Sequence, residues 1–299
     1  MADFTIVTSI YRDGSHMVLN KETVNRFNPT EQYKWIVIDS SSGFDLSSVE
    51  DAKVYKGPNE KLIQPFLFKK ASASNAISID FGISKADTRF ICIMDPDFFV
   101  VYPNWINKVV GYMEETGVGI LSAPYNPMWY DKAHRMTGHF MVIDTNRIPK
   151  VLIDFSPSMK EFYWGAPNFP KWLGQRKHIR QHYDCGSQIE EQFPDEIEYL
   201  LPLYDWRTNP MAGRISRFLD KIVPKKWRMT RIDYPVLNAQ ISGPLSATEL
   251  YFWRGYPFAI HLRRYGQKVL KRDIKEVEMG MGDVLSKIYS GYRNILEEQ

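Results

Sequence analysis

Residues 89–99 read RFICIMDPDFF. Phe90 to Met94 are all apolar, the pattern of a strand buried on both faces, and the run stops at Asp95-Pro96-Asp97. The two aspartates are two residues apart. An extended chain would put both on one face, and a turn would aim both at one ligand. Carboxylates that close disfavour each other's ionised form unless a cation neutralises them. A hard divalent ion, Mg²⁺ or Mn²⁺, takes oxygen ligands and keeps room for phosphate oxygens. The tripeptide therefore predicts a cation site suited to a diphosphate group. Asp-Pro also opens ordinary turns, so the weight of the motif depends on its surroundings.

Upstream, short β-rich runs alternate with helix-like stretches, the pattern of βαβ units feeding a mostly parallel sheet. Strands are expected at Phe4 to Ser9, Lys34 to Asp39, Ala52 to Tyr55, Arg89 to Asp95 and Gly117 to Ala123. Helices are expected at Gly14 to Arg26, Ser72 to Ala86 and Pro103 to Glu115, the last opened by a proline that suits a first helical turn. Polar breaks at Ser40 to Gly43, Lys56 to Glu60 and Asp95 to Pro103 follow strand ends. In open α/β sheets those C-terminal edges are where ligands bind.

Downstream the pattern is less regular, with strands expected at Gly138 to Asp144 and Pro257 to Arg263 and a helix at Ser187 to Phe193. The aromatic and basic stretch from Phe155 to His182 holds too many Pro and Gly for a helix and reads as a functional loop or lid. Arg207 to Arg231 carries eight Lys or Arg and one acid, Asp220. Within it Arg214, Arg217 and Lys221 recur at helical spacing beside Ile215, Phe218, Leu219 and Ile222, describing a short basic amphipathic helix. Its readings are a solvated surface, a peripheral contact with an anionic membrane, or a clamp on an anionic substrate.

The 299 residues suit one large α/β domain, and 44% hydrophobic with 24% charged content is that of an ordinary globular protein. Eight Trp and 17 Tyr are available to line a binding surface. Cys92 and Cys185 make neither a zinc cluster nor a disulfide framework, which predicts a reducing, cytoplasmic setting. The N-terminus shows no secretory leader, and no apolar run reaches the length of a membrane span. A net charge of +3 without a recognisable binding module argues against nucleic acid as a partner.

Three further segments carry a family resemblance: IVTSIYRDG at 6–14, WIVIDSSSGFD at 35–45 and FGISKADTRFICIMDPD at 81–97. Together they resemble the nucleotide-binding half of GT-A glycosyltransferases, and more closely glycosyltransferase family 2. The resemblance is specific over the first 120 or so residues. It implies a single GT-A domain over 1–299, with a nucleotide-sugar-binding half at 1–123, an acceptor-binding half at 124–267 and a helical tail at 268–299. It implies a donor that is a nucleotide diphosphate sugar, and a hydroxyl acceptor that is glycan, lipid or protein-linked. Thr8, Ser9, Asp39, Asp80, Asp95 and Pro96 would contact the donor, Asp39 through its base, while Tyr11, an aromatic at a loop start, reads either as a stack on that base or as a packing residue. The family's Arg-Asn pair before Gly-Ile is Ile79-Asp80 here, which leaves Lys69 or Lys70 for the diphosphate.

The metal set implied is Asp95, Asp97 and, as a C-terminal third ligand, His261. Asp184 stands at an expected helix start, where a carboxylate caps unpaired amides. The family places a general base in such a position, so Asp184 reads as cap or as base, with Glu190 and Glu191 as alternatives. His139, inside GHFMVID, reads as a strand residue on the acceptor side, while His134, His178 and His182 show no ligand spacing. Two other functions compete: a catalytically silent carbohydrate- or nucleotide-binding protein, and a sugar-1-phosphate nucleotidyltransferase. The second expects a Gly-rich, Arg-containing loop that TSIYRDGSH does not supply.

Overall fold

The computed structural model of the chain describes residues 3–10, 16–30, 32–40, 49, 51–57, 71–124, 136–156, 159–164, 176–181, 185–203, 232–234, 239–241, 248–262 and 286. Its first half runs β1 (Phe4–Ile10), α1 (His16–Phe27), β2 (Lys34–Asp39), β3 (Ala52–Lys56), α2 (Ala71–Lys85), β4 (Phe90–Met94), β5 (Phe98–Val100), α3 (Trp105–Thr116) and β6 (Ile120–Pro124). Then come β7 (Met136–Asp144), β8 (Met159–Trp164), β9 (Arg176–Gln181), α4 (Ser187–Gln192), β10 (Ile197–Tyr199) and β11 (Leu201–Leu203). The remainder is β12 (Ile232–Tyr234), β13 (Ala239–Ile241), β14 (Thr248–Trp253) and β15 (Tyr256–Leu262).

The apolar runs make a seven-stranded sheet in the order β10-β6-β7-β4-β1-β2-β3. Its neighbours are parallel except at β7, which runs antiparallel to both β4 and β6. This is a mixed α/β fold with a mostly parallel sheet and flanking helices. Every residue of β1 and β4 is buried, as strands covered on both faces must be. Alternate side chains serve opposite cores. Phe90, Cys92 and Met94 join Phe4, Ile6, Val24 and Trp105 on one face, while Ile91 and Ile93 join Val7, Ile79 and Ile83 on the other.

Helix α2 lies close on the sheet because of Gly82. A Cβ there would stand 2.4 Å from Val7 Cγ1 and 3.2 Å from Ile38 Cγ1. At the opposite end of β4 from Asp95, Arg89 grips the buried Asp144 in a two-pronged ion pair, Nε to Oδ1 at 3.0 Å and Nη2 to Oδ2 at 2.8 Å. The fork fixes the register of β4 against β7. A second, antiparallel sheet has the order β11-β14-β15-β5. No helix among the described residues is long and apolar enough to cross a membrane.

Two expectations are corrected. The break expected from Asp95 to Pro103 contains strand β5, because a tight turn redirects the chain into pairing with β15. The stretch read as a loop from Phe155 to His182 contains β8 and β9, paired antiparallel from Met159↔Gln181 to Trp164↔Arg176. Ladder pairing overrides a composition that lacks strand periodicity. The basic segment Arg207 to Arg231 lies outside the described residues, as does the C-terminal tail except Ser286.

Candidate active site

The site begins where β4 runs out. The Asp95 carbonyl accepts a hydrogen bond from the Phe98 N–H at 3.1 Å, closing a turn with Pro96 in its second position, where a fixed φ is favourable. Asn20 of α1 holds this turn from below. Its buried side-chain amide nitrogen donates to the carbonyls of Phe98 at 3.0 Å, Pro96 at 3.1 Å and Asp95 at 3.3 Å. Three carbonyl partners settle the amide's orientation, since the opposite one would set oxygen against oxygen.

The antiparallel strand β7 begins where the parallel strands end. It therefore delivers its first residues to the ligand edge of the sheet. The Asp95 N–H donates to the His139 carbonyl at 2.8 Å, and the His139 Nδ1 lies 2.7 Å from Asp95 Oδ2. The next residue back is Gly138, where a Cβ would stand 2.8 Å from the buried Cys185 sulfur. His261 arrives on β15, paired in register with Phe98. Its ring centroid is 4.3 Å from that of His139.

Donor atoms of Asp95, His139 and His261 all lie within 4.8 Å of one another. Bonds of about 2.0 to 2.2 Å from one ion to imidazole nitrogen and carboxylate oxygen suit such a cluster. The residues present therefore fit a divalent cation. Asp97 stands beside the trio, 9% exposed, with Oδ1 3.6 Å from His261 Nε2. Burial pushes its carboxyl up, but the adjacent His261 and the charges of His16 and His139 outweigh that and hold it below the usual carboxylate range. Asp97 is thus a buried carboxyl beside the His261 imidazole, with its charged form favoured.

On the other side of β4, the ends of β1, β2 and β3 are laced together. Ser40 N–H donates to the Ile10 carbonyl at 3.0 Å and Gly57 N–H to the Asp39 carbonyl at 2.7 Å. The Ser40 hydroxyl meets that of Ser78 on α2 at 2.7 Å. Asp39 is half-buried at this edge. Ser9 is buried near the end of β1, with a hydroxyl that has no hydrogen-bond partner among the described residues. Thr8 is fully buried and its hydroxyl accepts from the Trp35 indole N–H at 3.0 Å, so its side chain is committed to the core.

Asp80 lies on α2 and accepts from the Phe155 N–H at 3.0 Å. Burial raises its carboxyl to about 7 against the Phe155 N–H, with Asp154 adding to the rise. Glu190 bridges Met136 N–H at 3.1 Å and the Tyr199 hydroxyl at 2.7 Å, a brace between β7 and β10, and Glu191 is exposed. Tyr11, Lys69, Lys70 and Asp184 lie outside the described residues. The residues that the sequence reading missed are Asn20 and His139. Asn20 interrupts the buried α1 stripe of Met17, Val24 and Phe27, and a polar residue in such a stripe was the available signal.

Fold and geometry together define an α/β protein with a cluster of one carboxylate and two imidazoles, able to hold a cation, at the end of β4. Residues 18–161 match the family model described as glycosyl transferase family 2, so the resemblance read from the sequence stands over that segment. Similar solved structures include TarS from S. aureus, 13% identical over 40% of this chain and 35% of that one, with a TM-score of 0.31. A mannosyltransferase from Pyrobaculum calidifontis, in complex with GDP-Man and Mn²⁺, is 13% identical over 49% of this chain and 46% of that one, with a TM-score of 0.36. An active-site mutant of LgtC is 8% identical over 65% of this chain and 72% of that one, with a TM-score of 0.41. The chain spans less than half the length of the first two. No curated protein matches the sequence.

Proposed function

We propose that this chain moves a hexosyl or pentosyl unit from a nucleotide diphosphate sugar to a hydroxyl of a glycan, lipid or protein-linked acceptor, with inversion and with a divalent metal. The observation that carries the reading is the convergence of Asp95 and His261 at the end of β4, beside Asp97, within and next to the segment that matches the family. Asp95 and His261 hold the metal, Mn²⁺ or Mg²⁺, and Asp97 supplies the second carboxylate charge of the site. When bound, the cation offsets negative charge on the departing diphosphate.

The remaining roles fall to the chain itself. Asp39 accepts hydrogen bonds from the nucleobase at the end of β2. Ser9, Tyr11, Lys69 and Asp80 complete the donor site, with Lys69 toward the diphosphate. Asp184 removes the acceptor proton while that oxygen attacks the anomeric carbon opposite the leaving group. Supporting this, its neighbour Cys185 packs against Gly138, the residue before His139. The basic segment 207–231 provides a peripheral contact with an anionic membrane surface.

The test is incubation with Mn²⁺ and a panel of nucleotide sugars plus candidate acceptors, with transfer read by mass spectrometry. Transfer that falls at least about 100-fold in Asp97→Ala supports the site, on the scale of a lost electrostatic group. Undiminished transfer in that variant overturns it.

A further inference from the structure

The tripeptide Asp95-Pro96-Asp97 by itself offers oxygen donors alone, the set that Mg²⁺ accepts readily. The folded site is different in kind, because two imidazoles reach it from separate strands. His139 is fixed there twice over, by its carbonyl on the Asp95 N–H at 2.8 Å and by Nδ1 at 2.7 Å from Asp95 Oδ2. That separation is a hydrogen bond, and a small opening of the pair would bring it to the roughly 3 Å between two adjacent donors of one ion with bonds of about 2.1 Å. The His261 ring lies 4.3 Å away, centroid to centroid, and offers its donor to the same point.

We propose that His139 is itself a ligand of the cation, making a site of two imidazoles and one carboxylate that favours Mn²⁺, Co²⁺ or Fe²⁺ over Mg²⁺. Imidazole suits transition ions, whereas Mg²⁺ holds to oxygen donors and sheds water reluctantly. Neutral imidazoles add no charge, so Asp95 and Asp97 together balance the doubly charged ion. The competing role for His139 is positioning, with its ring N–H donating to Asp95 and the ion touching Asp95 alone. The proposal rests on the reading of this edge as a metal site, and the test separates the two.

The experiment uses the full chain loaded with Mn²⁺ and pulsed electron paramagnetic resonance, with ¹⁵N-histidine labelling to assign the couplings. Two directly coordinated imidazole nitrogens are expected in the wild type and one in His139→Gln. Competition calorimetry is expected to show Mn²⁺ bound at least about 10-fold more tightly than Mg²⁺, a preference that collapses in His139→Gln. The glutamine amide can still donate to Asp95, so a positioning role would leave both readouts unchanged, and that result overturns the proposal. One coordinated imidazole in the wild type also overturns it, with no variant needed. Absence of Mn²⁺ binding in the wild type overturns the metal reading beneath it as well.

Discussion

The side-chain nitrogen of Asn20 stands 3.0 Å from the carbonyl oxygen of Phe98, and the same nitrogen reaches the Pro96 and Asp95 carbonyls at 3.1 and 3.3 Å. One amide on α1 therefore satisfies the turn that presents both aspartates. Asn20→Leu keeps the branched outline of the side chain and removes the donor, at an expected cost of about 1 to 3 kcal/mol for buried carbonyls left short of partners. Asn20→Asp should cost more at neutral pH, since it sets a carboxylate against three carbonyl oxygens. The introduced carboxyl would be raised, so that part of the stability returns as pH falls and it protonates. Thermal melts from pH 8 to pH 4 check this. A loss in Asn20→Asp that does not shrink toward acid would contradict the geometry.

Asp80 carries a second pH signature. Its carboxyl has an ordinary value of 3.8 and a folded value of about 7, raised chiefly by burial. Between those values the folded chain keeps a proton that the unfolded chain has lost. Stability therefore falls as pH rises through the window, by roughly 1.4 kcal/mol per pH unit at most. Asp80→Asn is neutral throughout and can still accept from Phe155. It should melt several degrees above the wild type at pH 8, with the gap closing by pH 4. A gap that is constant with pH would show that Asp80 does not titrate as described.

Gly82 sets the distance between α2 and β1. In Gly82→Ala the new methyl would stand 2.4 Å from Val7 Cγ1, so helix or strand must shift. Overpacking of this kind costs about 1 to 3 kcal/mol, against roughly 1 kcal/mol gained from alanine's helix propensity. The variant should be destabilised by up to about 2 kcal/mol in urea melts. Adding Val7→Ala opens the space, so the double variant should lose less than the sum of the two single losses. Strict additivity would mean that the two residues do not share this contact.

Much of the fold was legible because burial on both faces writes itself as apolar continuity. Lys34–Asp39 matches its expected bounds, and the strand before Asp95 differs by one residue at each end. Strands β8 and β9 escaped because MKEFYW and RKHIRQ carry neither an apolar run nor clean alternation, and their extended form comes from pairing with each other. The three residues of β5 were hidden inside a presumed loop, since their strand character depends on β15, distant in sequence. The site divides along the same line. The two aspartates lie two residues apart in sequence and so stand out as a motif. His139 reaches them only because β7 runs antiparallel to β4, a topological fact that no local spacing records.

The central claim is that the Asp95 edge binds a nucleotide diphosphate together with a divalent metal. Its most direct measurement is the melting temperature of the full chain with UDP, GDP or dTDP, each with and without Mn²⁺. Ligand at 100 times its dissociation constant stabilises the fold by about 2.7 kcal/mol, roughly 4 °C in a chain of this size. The account predicts a rise of that order with one of the nucleotides, only when Mn²⁺ is also present, and its loss in Asp95→Asn with the ligand-free melt unchanged. An equal rise without metal, or in Asp95→Asn, would contradict it.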